Sequence, residues 1–181
     1  MSNEKLNTIY GKSTFTYLSE KDTAFGKDDY HVTLEVPKDK AQVHVKTIED
    51  IISKEVAEQH KLTPNNTAPL KRANKPYKEE GDIVTFKLHS KFKPKVWDKS
   101  QKEIGAEVNI WKGSTMWVNY KAQGYNKSIG LGCTLYISSV QIDDLVQGSA
   151  DGSQCPFPKR ETNGGVEFKN AGKVISLWQK E

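Results

Sequence analysis

The chain has 181 residues, 27 Lys and Arg against 23 Asp and Glu, and a formal charge of +4. That length fits one domain with a tail and excludes a multi-domain machine. With 35 % apolar residues the core must be small, and no stretch approaches the roughly 20 apolar residues of a membrane-spanning helix. The opening residues hold no apolar run, so no secretory signal is expected. Two cysteines, Cys133 and Cys155, without C-x-x-C spacing, are expected to be free thiols.

Residues 14–18 and 30–36 alternate as half-buried strands do, with a polar loop between them around Gly26. Pro37 closes the second strand. Residues 40–60 form one helix, because Ala41, Val45, Ile48, Ile52 and Val56 make a single apolar stripe opposite Lys46, Glu49, Asp50, Lys54, Glu55 and Glu58. Residues 62–82, with three prolines and Gly81, read as an irregular connection whose basic part, 70–77, is a solvated loop. Strands are then expected at 83–92, 107–111, 115–122 and 131–142, with turns at 98–101, 112–113 and 124–127. About six strands and one helix predict a small antiparallel barrel. Periodicity fades after Gly148, which sets a domain at 1–147 apart from a flexible or partly packed tail at 148–181.

Local catalytic signatures fail. Gly11-Lys12-Ser13 lacks the first glycine of a phosphate loop, Gly130-Leu131-Gly132 lacks the third glycine of a dinucleotide fingerprint, and the four histidines have no metal-ligand spacing. The pattern predicts a binding protein, not an enzyme, with no cofactor and no metal.

Charge is unevenly placed. Residues 71–127 hold thirteen bases and six acids, a local +7 that leaves −3 for the rest. Alternation over 84–93 puts Val84, Phe86, Leu88 and Phe92 on a core face, and Lys87, His89, Lys91 and Lys93 on the other. Such a row repeats about every 7 Å, a spacing suited to phosphates of an extended single strand. In 115–122, Met116, Val118, Tyr120 and Ala122 suit the core, leaving Trp117, Asn119 and Lys121 outside. Trp117 and Tyr125, the latter in a turn, are candidate base-stacking platforms, with Trp97 a weaker one at a hairpin tip. Cations interleaved with aromatics on a barrel favour single strands, whose bases expose their ring faces. An acidic helix is a poor reader of a duplex groove.

The order of features resembles the single-stranded DNA-binding proteins of short-tailed and related bacteriophages. The resemblance runs through Phe25-Gly26-Lys27, Tyr30-His31-Val32-Thr33-Leu34, the helix, Pro69-Leu70-Lys71 and Thr85-Phe86-Lys87-Leu88. It continues through Gly113-Ser114, Val118-Asn119-Tyr120, Tyr125, Gly132-Cys133-Thr134-Leu135 and Val140-Gln141-Ile142, covering about residues 10 to 147. It implies a mainly β, antiparallel OB-fold barrel with one α-helix inserted after the early strands. It also implies sequence-tolerant binding of single-stranded DNA in phage replication, recombination and repair, strand annealing included, in the cytoplasm of an infected bacterium. Family contacts would fall on Lys27, Lys87, His89 and Tyr125. His89 stands where the family has a basic residue, so its contribution is expected to fall as pH rises, and Lys91 stands where an aromatic can occur. Phage replication proteins are implied partners, a membrane is not, and a homodimer is left open. Family members often end in a strongly acidic segment with a terminal aromatic, whereas residues 143–181 here hold six acids and five bases. An RNA- or duplex-binding accessory and a protein-interaction module are the competing readings.

Overall fold

The computed structural model describes residues 6–146; the expected tail at 148–181 and Cys155 lie outside them. The strands are β1 (Asn7–Asp22), β2 (Asp29–Pro37), β3 (Tyr77–Glu80), β4 (Ile83–Ser90), β5 (Lys95–Trp97), β6 (Thr115–Lys127) and β7 (Gly130–Asp144), and the helix α1 is Lys38–Leu62. The order β4-β2-β1-β6-β7 closes on itself through a β4–β7 pairing, so five strands form a barrel. All its pairings are antiparallel except β4–β7. This is the OB-fold order, first strand beside fourth and third beside fifth. β3 and β5 extend the sheet at its margins.

The barrel closes because one residue in two along each strand is apolar. Ile9, Val32, Leu34, Phe86, Leu88, Met116, Val118, Tyr120 and Leu135 are all buried in one core. α1 starts directly after Pro37, carries Asp39 in its first turn and His60 and Lys61 in its last, and so complements its own dipole. Its stripe Ala41, Val45, Ile48 and Ile52 is buried, with Val56 packed at the margin, and the helix lies chiefly across β6 and β7. His44 Nδ1 meets Tyr120 Oη at 2.7 Å across that contact, which satisfies a buried hydroxyl. Burial pushes the His44 imidazole below its ordinary pKa and keeps it neutral. Among the described residues no helix is long and apolar enough to cross a membrane.

Several elements depart from the sequence expectation. Residues 107–111 form no strand, because Ser19 Oγ donates to the Val108 carbonyl and Thr16 Oγ1 to that of Ile110, so this segment is clamped to β1 by side chains rather than by a ladder. Residues 124–127 are no turn: β6 runs on to Lys127 and turns at Ser128 and Ile129. Gly124 is there because the Glu55 side chain of α1 lies where a Cβ would stand. β4 stops at Ser90, whose hydroxyl donates to the Phe92 carbonyl at 2.7 Å and accepts from its N–H at 3.1 Å. Phe92, expected in the core, is 83 % exposed. The 62–82 connection contains β3, an edge strand made by pairing with β4 around Gly81 and Asp82. Its basic part is not free either, since Lys71 and Ala73 exchange backbone hydrogen bonds with Leu131 at 2.9 and 2.8 Å.

Candidate nucleic-acid interface

Outward-facing side chains line up across strands because register partners share a face. One row runs Tyr17–His31–His89–Tyr136–Lys121 over β1, β2, β4, β7 and β6, and the adjacent row runs Phe15–Thr33–Lys87. These rows border a groove of about 750 Å³, closed at one end by the β1–β2 loop with Phe25 and Lys27. In OB-folds, the face of the second and third barrel strands and this loop are where oligonucleotides lie.

The loop is built on Asp22. Its carboxylate is nearly buried and accepts from the Ala24 N–H at 3.0 Å, Lys27 Nζ at 3.2 Å and His31 Nε2 at 2.9 Å. The His31 hydrogen bond, with those from Ala24 and Lys27, holds its carboxyl down at about 2. A carboxyl depressed in the fold adds stability that is present above its ordinary value of 3.8 and lost as pH falls through about 2. The stability gap between the protein and Asp22→Asn should therefore narrow between pH 4 and pH 2, as read by denaturant melts; a gap that stays constant there would separate the loop from the Asp22 charge. Held this way, the loop presents Phe25 in the left-handed region (φ 54°, ψ 34°), packed against nothing and fully exposed. Phe15 beside it is 64 % exposed.

Lys27 and Lys87 both line this groove, but differently. Lys27 is engaged by Asp22, whereas Lys87 is exposed and makes no ion pair among the described residues. His89 also lines it, half-buried, 3.6 Å from an Asp29 carboxylate and with its ring centre 5.2 Å from that of Tyr136. Burial lowers its pKa; Asp29 opposes this, while Lys91, His31 and Lys127 add to the lowering. The ring therefore gives up its proton, and with it any attraction for phosphate, at a lower pH than an ordinary imidazole. Lys91 and Lys93 lie past the end of β4, so the expected four-donor row is two residues long. Tyr125 sits on β6, its ring 5.2 Å from Lys127 Nζ, and its hydroxyl lies against Gly132. Lys121 joins the Tyr136 end of the long row.

Trp117 is elsewhere. It is 46 % exposed and packs at a tilt of 46° against the Tyr10 ring, 4.6 Å between centres, in a second groove that shares no lining residue with the first. Of the eight sequence candidates, Lys27, Lys87 and His89 line one groove, Lys121 joins the His89 row through Tyr136, Tyr125 lies further along β6, Lys91 and Lys93 lie past β4, and Trp117 lines the other groove. Phe15, Tyr17 and Phe25 were missed. Phe25 had a signal, an aromatic next to glycine in a polar loop, but Phe15 and Tyr17 read as ordinary strand residues until β1 is curved around the barrel.

No protein-family model and no curated protein sequence matches the chain. Among solved structures it is similar to gp2.5, a single-stranded DNA-binding protein encoded by bacteriophage T7, with a TM-score of 0.68 and 21 % identity over 83 % of this chain and 97 % of that one. It is also similar to the single-stranded DNA-binding protein of bacteriophage Enc34 in complex with single-stranded DNA, with a TM-score of 0.54 and 17 % identity over 77 % and 86 % of the two chains. A second structure of the Enc34 protein gives 0.53 and 19 % over 79 % and 83 %. At such identities the likeness establishes the OB-type fold.

Proposed function

We propose that this protein binds single-stranded DNA without strong sequence preference, along the groove from Phe25 and Lys27 past Lys87 and His89 to Tyr125. The observation that carries this reading is the pairing of exposed aromatic faces (Phe15, Phe25) with Lys87, exposed and without an ion pair among the described residues, on the oligonucleotide-binding face of an OB barrel. Aromatic faces reward unstacked bases, which a duplex does not offer. Of the two acids that line the groove, Asp22 is engaged by Lys27 and His31, and Asp29 lies beside His89. The fold shared with two phage proteins supports a place in phage DNA replication, recombination and repair, including strand annealing, in the infected cell's cytoplasm with other replication proteins as partners. The protein acts as a binder and performs no chemistry on the strand.

No tryptophan lines the groove among the described residues, so the label belongs on the DNA. Fluorescence anisotropy of a labelled 20-nucleotide single strand should show saturable binding that weakens steeply with salt. Equal-length duplex and RNA should compete poorly. Equal competition by duplex overturns the reading, and stronger competition by RNA transfers it to RNA.

A further inference from the structure

We propose a second, separate site for one nucleobase, between Trp97 and Trp117. Register places Tyr10, Trp117, Gln141 and Trp97 in one outward row across β1, β6, β7 and β5. The two tryptophans thus flank Gln141 from strands two steps apart, roughly 10 Å between backbones. A flat ring in van der Waals contact on both faces needs roughly 7 Å, so one base fits between the indoles. Trp117 is braced from behind by Tyr10, whose hydroxyl donates to Asp143 at 2.7 Å.

The neighbouring row, Thr8–Asn119–Ser139–Lys95, supplies the polar side of this groove of about 510 Å³. Thr8 Oγ1 donates to Asn119 Oδ1 at 2.6 Å and Asn119 Nδ2 to Ser139 Oγ at 3.1 Å, which leaves the Ser139 hydroxyl proton to donate outward. Gln141 spends one amide N–H on the Asp98 carbonyl at 3.1 Å and keeps Oε1 as an acceptor. Gln101, on the turn that follows Trp97, holds a φ of 64°. It and Phe25 are the two non-glycine residues with positive φ among those described, and each lines one groove. Strained backbone persists where surrounding structure holds it and gathers at binding sites.

Paired donors and acceptors between two ring faces match the edge of a base; the side chain of a protein phenylalanine would leave them unpaired. The two rows hold no acid and one cation, Lys95, at the outer end where a phosphate would lie. Binding here is therefore dominated by stacking and edge hydrogen bonds, and its salt dependence is shallow, unlike that of the main groove.

The test uses the full chain with Trp111 and Trp178 changed to phenylalanine, so that emission reports Trp97 and Trp117. The probes are four-nucleotide single-stranded DNAs, one for each base. At least one should quench the emission saturably, with less than a ten-fold loss of affinity between 50 and 200 mM salt. Trp97→Ala and Gln141→Ala, each checked for an unchanged melting temperature, should weaken it by about five-fold or more. Phe25→Ala combined with Lys87→Ala should leave it unchanged. Quenching that survives Trp97→Ala and Gln141→Ala but is lost in the Phe25/Lys87 pair overturns the second site. A labelled 20-nucleotide strand that binds while no tetranucleotide quenches also overturns it and leaves the main groove standing; tetranucleotide quenching with no effect of the Phe25/Lys87 pair on the long strand does the reverse.

Discussion

Phe25→Gly is expected to make the protein more stable and a poorer binder at once. Phe25 touches no core and holds φ at 54°, a region that costs a side-chain-bearing residue roughly 1–2 kcal/mol. Glycine removes that strain and returns roughly 0.5–1 kcal/mol through the greater freedom of its unfolded chain, so net stabilisation lies between about 0 and 1.5 kcal/mol. The same change removes a stacking face, for a loss of roughly 1–3 kcal/mol in single-strand affinity, about five- to 150-fold. Phe25→Ala separates the two effects, since it loses the ring while keeping the strained φ. Thermal melts and anisotropy titrations of both variants decide the matter. A Phe25→Gly protein that is less stable, or that binds as before, would show that the ring serves the fold and not the strand.

The adjacent residues Phe86 and Lys87 should give opposite phenotypes. Phe86 is fully buried, pairs with Leu34 across β2 and β4, and meets Tyr77 and His44 at 6.1 and 5.9 Å between ring centres. Phe86→Ala should cost about 3–5 kcal/mol and lower the melting temperature by roughly 10 °C, while molecules that remain folded bind with the original salt slope. Lys87→Ala should leave the melt unchanged and reduce the slope of log affinity against log salt by roughly 0.7. One residue faces the core and the next faces the strand, and a single step in the chain divides stability from binding. A salt slope unchanged in Lys87→Ala would remove that lysine from the phosphate path.

Much of this protein is legible in its sequence, for definable reasons. Alternation in 30–36 and 84–88 and the stripe from Ala41 to Val56 depend only on local periods of two and 3.6 residues, and the structure has β2, β4 and α1 there. The thiol of Cys133, expected free inside a strand, is buried and pushed up to about 11. Local pattern could not supply what pairing creates. β3 is a strand only because β4 offers its edge, since Tyr77-Lys78-Glu79-Glu80 has no apolar period of its own. Residues 107–111 have strand composition but find no ladder partner, and Gly124 looks like a turn although it marks where the helix presses on β6.

The candidate interface divides along the same line. Sequence alone determined which side chains face outward on each strand, and so named Lys87, His89, Trp117 and Lys121. Which of those outward faces meet was decided by barrel closure. The β4–β7 pairing joins His89 to Tyr136 and, through it, to Lys121, while the curvature of β1 brings Phe15 and Tyr17 to the groove and leaves Tyr10 with Trp117. Register between strands distant in the chain is a property of the closed sheet, so the outward residues of one expected interface divide between two grooves.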